Sequence, residues 1–129
     1  MSLNRKTPPP IRPMGDFQLL RPERLRMKNG MPLNVIRAGS QEVVRLDILI
    51  GGGQWHQTQA LQALFTNRML REGTSSYTSA QIAEKLDFYG AWLELSSSLN
   101  CGFLTLYSLN KYFPYVMEII SDMLMHPLF

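Results

Sequence analysis

Cysteine is nearly absent, with Cys101 standing alone in 129 residues. No intrachain disulfide can form, and no second thiol completes a zinc or redox pair. The thiol reads as a small core residue. Long apolar runs are also lacking: nothing approaches the roughly 20 residues of a membrane span. No secretory signal is visible, because Pro8, Pro9 and Pro10 stand where an apolar run would be needed. The expectation is a cytoplasmic chain with no membrane partner. Histidine is scarce, with only His56 and His126. One lies just before a predicted helix and the other just after one. Neither shares a predicted helix face with a His, Cys, Asp or Glu at ligand spacing, so both read as polar loop residues. No metal and no cofactor are expected.

What is present fits one globular domain, with 45% hydrophobic and 18% charged residues. The formal charge of +3 is uneven. Residues 1–28 carry seven basic and two acidic side chains, a balance of +5, and the remainder six and eight, a balance of −2. A basic, proline-rich lead segment could touch nucleic acid. No aromatic residues alternate with its charges as a stacking surface requires, so a solvated extended arm over residues 1–16 is expected, with no nucleic-acid partner.

From residue 17 onward the pattern predicts strands first. Phe17–Leu20 and Leu25–Lys28 read as short strands. Asn29-Gly30 marks a tight turn, Leu33–Ala38 the next strand and Gly39-Ser40 another turn. In Val43–Ile50, Val44, Leu46, Ile48 and Ile50 alternate with Val43, Arg45, Asp47 and Leu49, a period of two that puts one face on the core. After Gly51-Gly52-Gly53, a helix is predicted from Thr58 to about Glu72, burying Leu61, Leu64, Phe65 and Met69 and capped by Gly73. Thr78 and Gln81 form a capping box for a second helix, which buries Ile82, Leu86 and Tyr89 and closes at Gly90. Strands over Ala91–Ser97 and Gly102–Leu109 follow. A last helix over Phe113–Met125 carries Val116, Met117, Ile120, Met123 and Leu124, with Pro114 near its start and Pro127 beyond its end. The order predicts an α+β fold, an antiparallel sheet with helices packed on one face.

The usual chemical motifs are missing. The glycine triplet suggests a phosphate loop, but the dinucleotide fingerprint would need glycine where His56 stands, and no Gly-Lys-Ser/Thr occurs. The triplet reads instead as a bend where a side chain would obstruct the next helix. The serines, including the run Ser96–Ser98, have no His–Asp relay to activate them. Trp55 and Trp92 read as buried aromatics.

Five blocks in order carry a resemblance. Leu25 to Leu33, with Asn29-Gly30, looks like an "L-x-N-G-hydrophobic" hairpin. Val43–Ile50 runs into Gly51-Gly52. Met69-Leu70-Arg71-Glu72-Gly73-Thr74 is similar to "M-L-F-K-G-T". Ser79–Asp87 with Gly90-Ala91 resembles "S-x-x-E-I-x-x-x-L-x-x-x-G-A", and His126-Pro127-Leu128-Phe129 resembles "h-P-x-F". Together, from about residue 25 to the last residue, they resemble the first part of a pitrilysin/insulinase-type zinc-peptidase domain, so residues 17–129 are expected to be the N-terminal portion of one such unit.

That family places an inverted motif, H-x-x-E-H, on the helix before Gly-Thr. Positions i and i+4 share a helix face and converge on one zinc, and the glutamate is general base for the metal-bound water. Aligning Gly73-Thr74 puts these positions at Leu64, Asn67 and Arg68. Leucine has no lone pair for zinc, asparagine cannot carry the proton, and arginine adds charge where a cation should sit. The resemblance therefore implies a non-catalytic member. As such it would be a homo-oligomer, or would pair with a zinc-bearing member to enclose a peptide substrate. The alternative is a stand-alone binding or scaffold domain on the same fold. The family unit continues past "h-P-x-F", so self-association or membership of a longer protein is expected.

Overall fold

The computed structural model describes residues 8, 10, 11 and 13–129. The predicted arm over residues 1–16 falls partly outside these, and its described residues have no regular secondary structure. The chain divides into two units, residues 1–40 and 41–129.

The first unit is organised by one hairpin, β1 (Glu23–Arg26) with β2 (Pro32–Val35), paired antiparallel with Leu25 opposite Leu33. Its turn follows from Asn29-Gly30. Gly30 takes φ +87°, its N–H donates to the Met27 carbonyl at 2.9 Å, and Asn29 Oδ1 accepts from the Met31 N–H at 3.1 Å. Glycine reaches this left-handed backbone without a Cβ penalty. No strand forms over Phe17–Leu20: Phe17 is 68% and Leu19 81% exposed. Four apolar-leaning residues there find no paired neighbour, so local pattern alone does not order them.

The second unit carries the core. β3 (Val43–Gly51), β4 (Trp92–Ser97) and β5 (Cys101–Leu109) form an antiparallel sheet in the order β3-β5-β4. Leu46 faces Leu106, which faces Leu93; Ile48 faces Leu104, which faces Leu95. These rows form the inner face, onto which Leu70, just after α1 (Gln62–Met69), and the helices α2 (Ser79–Phe88) and α3 (Phe113–Met125), with Ile82, Leu86, Val116, Ile119, Ile120 and Met123, pack. Leu104, Leu106, Val116, Ile120 and Met123 are fully buried. The α+β architecture expected from the pattern is the one observed.

Local rules account for α2 and α3. Thr78 caps α2: its hydroxyl accepts from the Gln81 N–H, while Gln81 Oε1 accepts from the Thr78 N–H at 2.9 Å. Gly90, at φ +60°, ends it. α3 matches its predicted span and has Pro114 in its first turn, where a missing N–H is harmless.

α1 departs from expectation. Instead of a helix from Thr58 to Glu72, a 3-10 turn (Gln54–His56) comes first, and α1 itself has only eight residues. Leu61 interrupts the predicted helix with φ +67°, the left-handed region. The predicted buried stripe is only partly kept, with Leu64 and Met69 half-buried. Leu61 and Phe65 are each 56% exposed, while Asn67 and Leu70 are buried at 7%. Gly73 is not the helix cap. Leu70 takes that place, and Gly73 pairs with Thr78 in a bridge. Trp55 and Trp92, expected inside, are 73% and 67% exposed. Cys101 is half-buried at the start of β5.

Candidate functional site

The short helix α1 holds the three positions singled out by the sequence. Its approach is set by the glycine triplet. Gly53 N–H donates to Asn100 O, Gln54 N–H to Ser98 O and Trp55 N–H to Leu99 O, at 3.2, 3.0 and 2.9 Å. These bonds strap the 3-10 turn to the β4–β5 loop. A Cβ at Gly53 would lie 2.5 Å from Asn100 C and Cys101 N, so the obstruction comes from this loop rather than from the next helix. The N-cap residue Leu61 makes no side-chain cap bond; Gln57 Oε1 accepts from the Ala63 N–H at 3.4 Å, and Thr58 N–H and its hydroxyl both donate to Gln62 Oε1, at 2.9 and 3.1 Å.

Within α1, a spacing of four puts Leu64 and Arg68 on one face, and Asn67 turns inward beside them. Leu64 is half-buried, Arg68 is exposed and Asn67 is buried. Asn67 Nδ2 donates to the Ser96 carbonyl and, at 3.4 Å, to the Phe103 carbonyl. Ser96 and Phe103 are direct partners in the β4–β5 ladder, so one amide bridges both strands at one level. Gly102 leaves the room for it: a Cβ there would lie 2.9 Å from Asn67 Nδ2. The Asn67 Oδ1 is buried without a hydrogen-bond partner among the described residues.

This donor set does not fit zinc. Leu64 offers no lone pair, Arg68 offers a permanent cation, and the Asn67 amide nitrogen is committed to backbone carbonyls. Among the described residues no group of three or more His, Cys, Asp or Glu side chains could hold a metal.

His56 lies in the exposed 3-10 turn. His126 has a partner that the sequence reading overlooked. Asp122 stands four residues earlier, and its Oδ1 lies 3.1 Å from His126 Nδ1. The Thr74 hydroxyl, then His126 and Ser76, hold the Asp122 carboxyl below its ordinary range, against the opposing effect of desolvation. Ser75 N–H to His126 O and Leu128 N–H to Gly73 O, both 3.0 Å, complete a clasp between the end of α3 and the segment before α2. The i, i+4 spacing was the available signal.

A second group missed from sequence lies on the outer sheet face. Arg45 Nε sits 2.9 Å from Asp47 Oδ2, Thr105 Oγ1 donates to Asp47 Oδ1 at 2.8 Å, and the guanidinium lies 5.4 Å from the Tyr107 ring centre. Desolvation pushes the Asp47 carboxyl up, and the bonds from Arg45 and Thr105 more than offset it, leaving the group below its ordinary range. Charges two apart on a strand share a face, so the pair was legible in principle. It is a satisfied cluster with no activated nucleophile.

The family model described as insulinase, peptidase family M16, matches residues 35–129. The chain belongs to the insulinase family. Two solved structures agree in fold. A peptidase M16 inactive domain from Pseudomonas fluorescens superposes with a TM-score of 0.77 at 19% identity, over 85% of this chain. A protease from Helicobacter pylori gives 0.75 at 13% identity, over 86%. The insulinase-family chain spans 27% of the length of each of these structures. No curated protein matches it.

Proposed function

We propose that this insulinase-family chain is a non-catalytic unit, with residues 17–129 as the first part of one peptidase-type domain. In this reading it pairs with a zinc-bearing family member, or with a second copy, to enclose a peptide substrate. Leu64, Asn67 and Arg68 occupy the positions of the zinc ligands and general base. The observation that carries the reading is Asn67. The side chain aligned with the proton acceptor is a buried carboxamide turned toward two carbonyls.

Two further observations support it. The Pseudomonas fluorescens neighbour is itself an inactive domain of peptidase M16. Large apolar side chains also stand exposed in the second unit, with Phe88 at 79%, Trp92 at 67% and Phe65 at 56%, which suits a surface that is covered in an assembly. The same exposure favours the second reading, a stand-alone scaffold domain. No helix among the described residues is long and apolar enough to cross a membrane, and we place the action in the cytoplasm.

The test is metal analysis of the purified protein together with peptide hydrolysis, with and without a chelator. The expected result is substoichiometric zinc and no chelator-sensitive cleavage; stoichiometric zinc with such cleavage sinks the reading. Affinity capture of a zinc-bearing family member supports the paired unit, and self-association alone supports the scaffold.

A further inference from the structure

We propose that position 67 is a donor-selective socket that pins α1 to the β4–β5 ladder. The place where a general base would have to stand is thereby reserved for a side chain that donates hydrogen bonds. The geometry fixes what the socket accepts. Two carbonyl oxygens, those of Ser96 and Phe103, face the side chain from adjacent strands. They also set the amide orientation, since turning Oδ1 toward them would put acceptor against acceptor. Asn67 is 7% exposed, so water screens a charge placed there poorly. Gly102 supplies the floor, where any Cβ would meet Nδ2 at 2.9 Å.

A carboxylate in this socket would be desolvated and would point at two oxygens. Reinstating glutamate at 67, with histidines at 64 and 68, therefore destabilises α1 rather than rebuilding a metal site. The loss of chemistry is built into the packing of the helix, beyond the identity of three side chains. The socket stands on geometry alone. Its meaning for catalysis rests on the alignment of position 67 proposed above.

Two measurements on the full chain test it, both reading urea midpoints. The first is a double-mutant cycle of Asn67→Ala and Gly102→Ala. Gly102→Ala alone lowers the midpoint because its methyl displaces the amide. In the Asn67→Ala background that loss disappears, because the space is empty. The second compares Asn67→Asp with the near-isosteric Asn67→Leu at about pH 4.5 and about pH 8. A buried carboxyl facing acceptors has a raised folded-state pKa. Its folded form is then retained at low pH, where the protonated group can donate, and is lost as pH rises. Asn67→Asp should fall below Asn67→Leu at the higher pH and approach it at the lower. If Asn67→Asp folds at neither pH, the cycle decides alone. Additivity in the cycle, or an Asn67→Asp midpoint that tracks Asn67→Leu across pH, overturns the proposal. Stoichiometric zinc in the wild-type chain would sink the non-catalytic reading and leave both results untouched.

Discussion

Three consecutive glycines, Gly51, Gly52 and Gly53, should respond to alanine in three different ways, because each is required for a different reason or for none. At Gly51 an added Cβ meets nothing within 4 Å and the backbone is ordinary strand, so Gly51→Ala should stay within about 0.5 kcal/mol of wild type. At Gly52 there is also open space, but φ is +122°, where a side chain strains the backbone by roughly 1–3 kcal/mol. Gly53 is the reverse case. Its φ of −72° and ψ of −167° suit alanine, yet the Cβ would meet the Asn100 and Cys101 backbone at 2.5 Å and Leu99 O at 2.6 Å. No flexible side chain can yield there. Relief requires the 3-10 turn to part from the β4–β5 loop, which breaks the bonds from Gly53, Gln54 and Trp55. At about 0.5–1.5 kcal/mol net per bond, losing all three gives about 1.5–4.5 kcal/mol. That is a large share of the ~5–15 kcal/mol stability of a typical domain. Urea unfolding followed by far-UV circular dichroism measures all three variants on one scale. A Gly53→Ala variant as stable as Gly51→Ala would refute the close approach of turn and loop.

Two more outcomes follow from local geometry. Thr78→Ala removes half of the capping box on α2 and should destabilise the fold by about 1 kcal/mol; adding Gln81→Ala should change the thermal midpoint by less than the sum of the single effects, since the two side chains act as one cap. Asp122 has a folded-state pKa held below its ordinary 3.8 by Thr74, His126 and Ser76, so its contribution to stability is present above that value and lost as pH falls through the folded pKa. Asp122→Asn should therefore flatten the acid limb of a stability-against-pH curve below about pH 4, and an unchanged limb would show that the carboxylate is not held in the clasp.

What could be read from sequence was whatever rested on short-range rules. The capping box at Thr78, the Asn29-Gly30 turn, the alternation in β3 and the full span of α3 each depend on residues within a few positions of one another. The order of five such blocks was also enough to identify the insulinase resemblance. The site was legible only as three residue types at three positions. Tertiary structure decided the rest. Leu61 and Phe65 fit an apolar stripe as a string, but the helix is cut short at Leu61, and the surface that α1 meets is the β4–β5 ladder, lined there by carbonyls and Gly102. Against that surface a polar Asn67 turns inward and Phe65 outward, because carbonyl oxygens more than 25 residues away in sequence demand a donor that no local pattern announces. Sequence alone determined that no H-x-x-E-H stands in the chain and that positions 64, 67 and 68 carry leucine, asparagine and arginine. Only the folded chain decided what Asn67 does instead, since the partners it satisfies are brought to it by strand pairing.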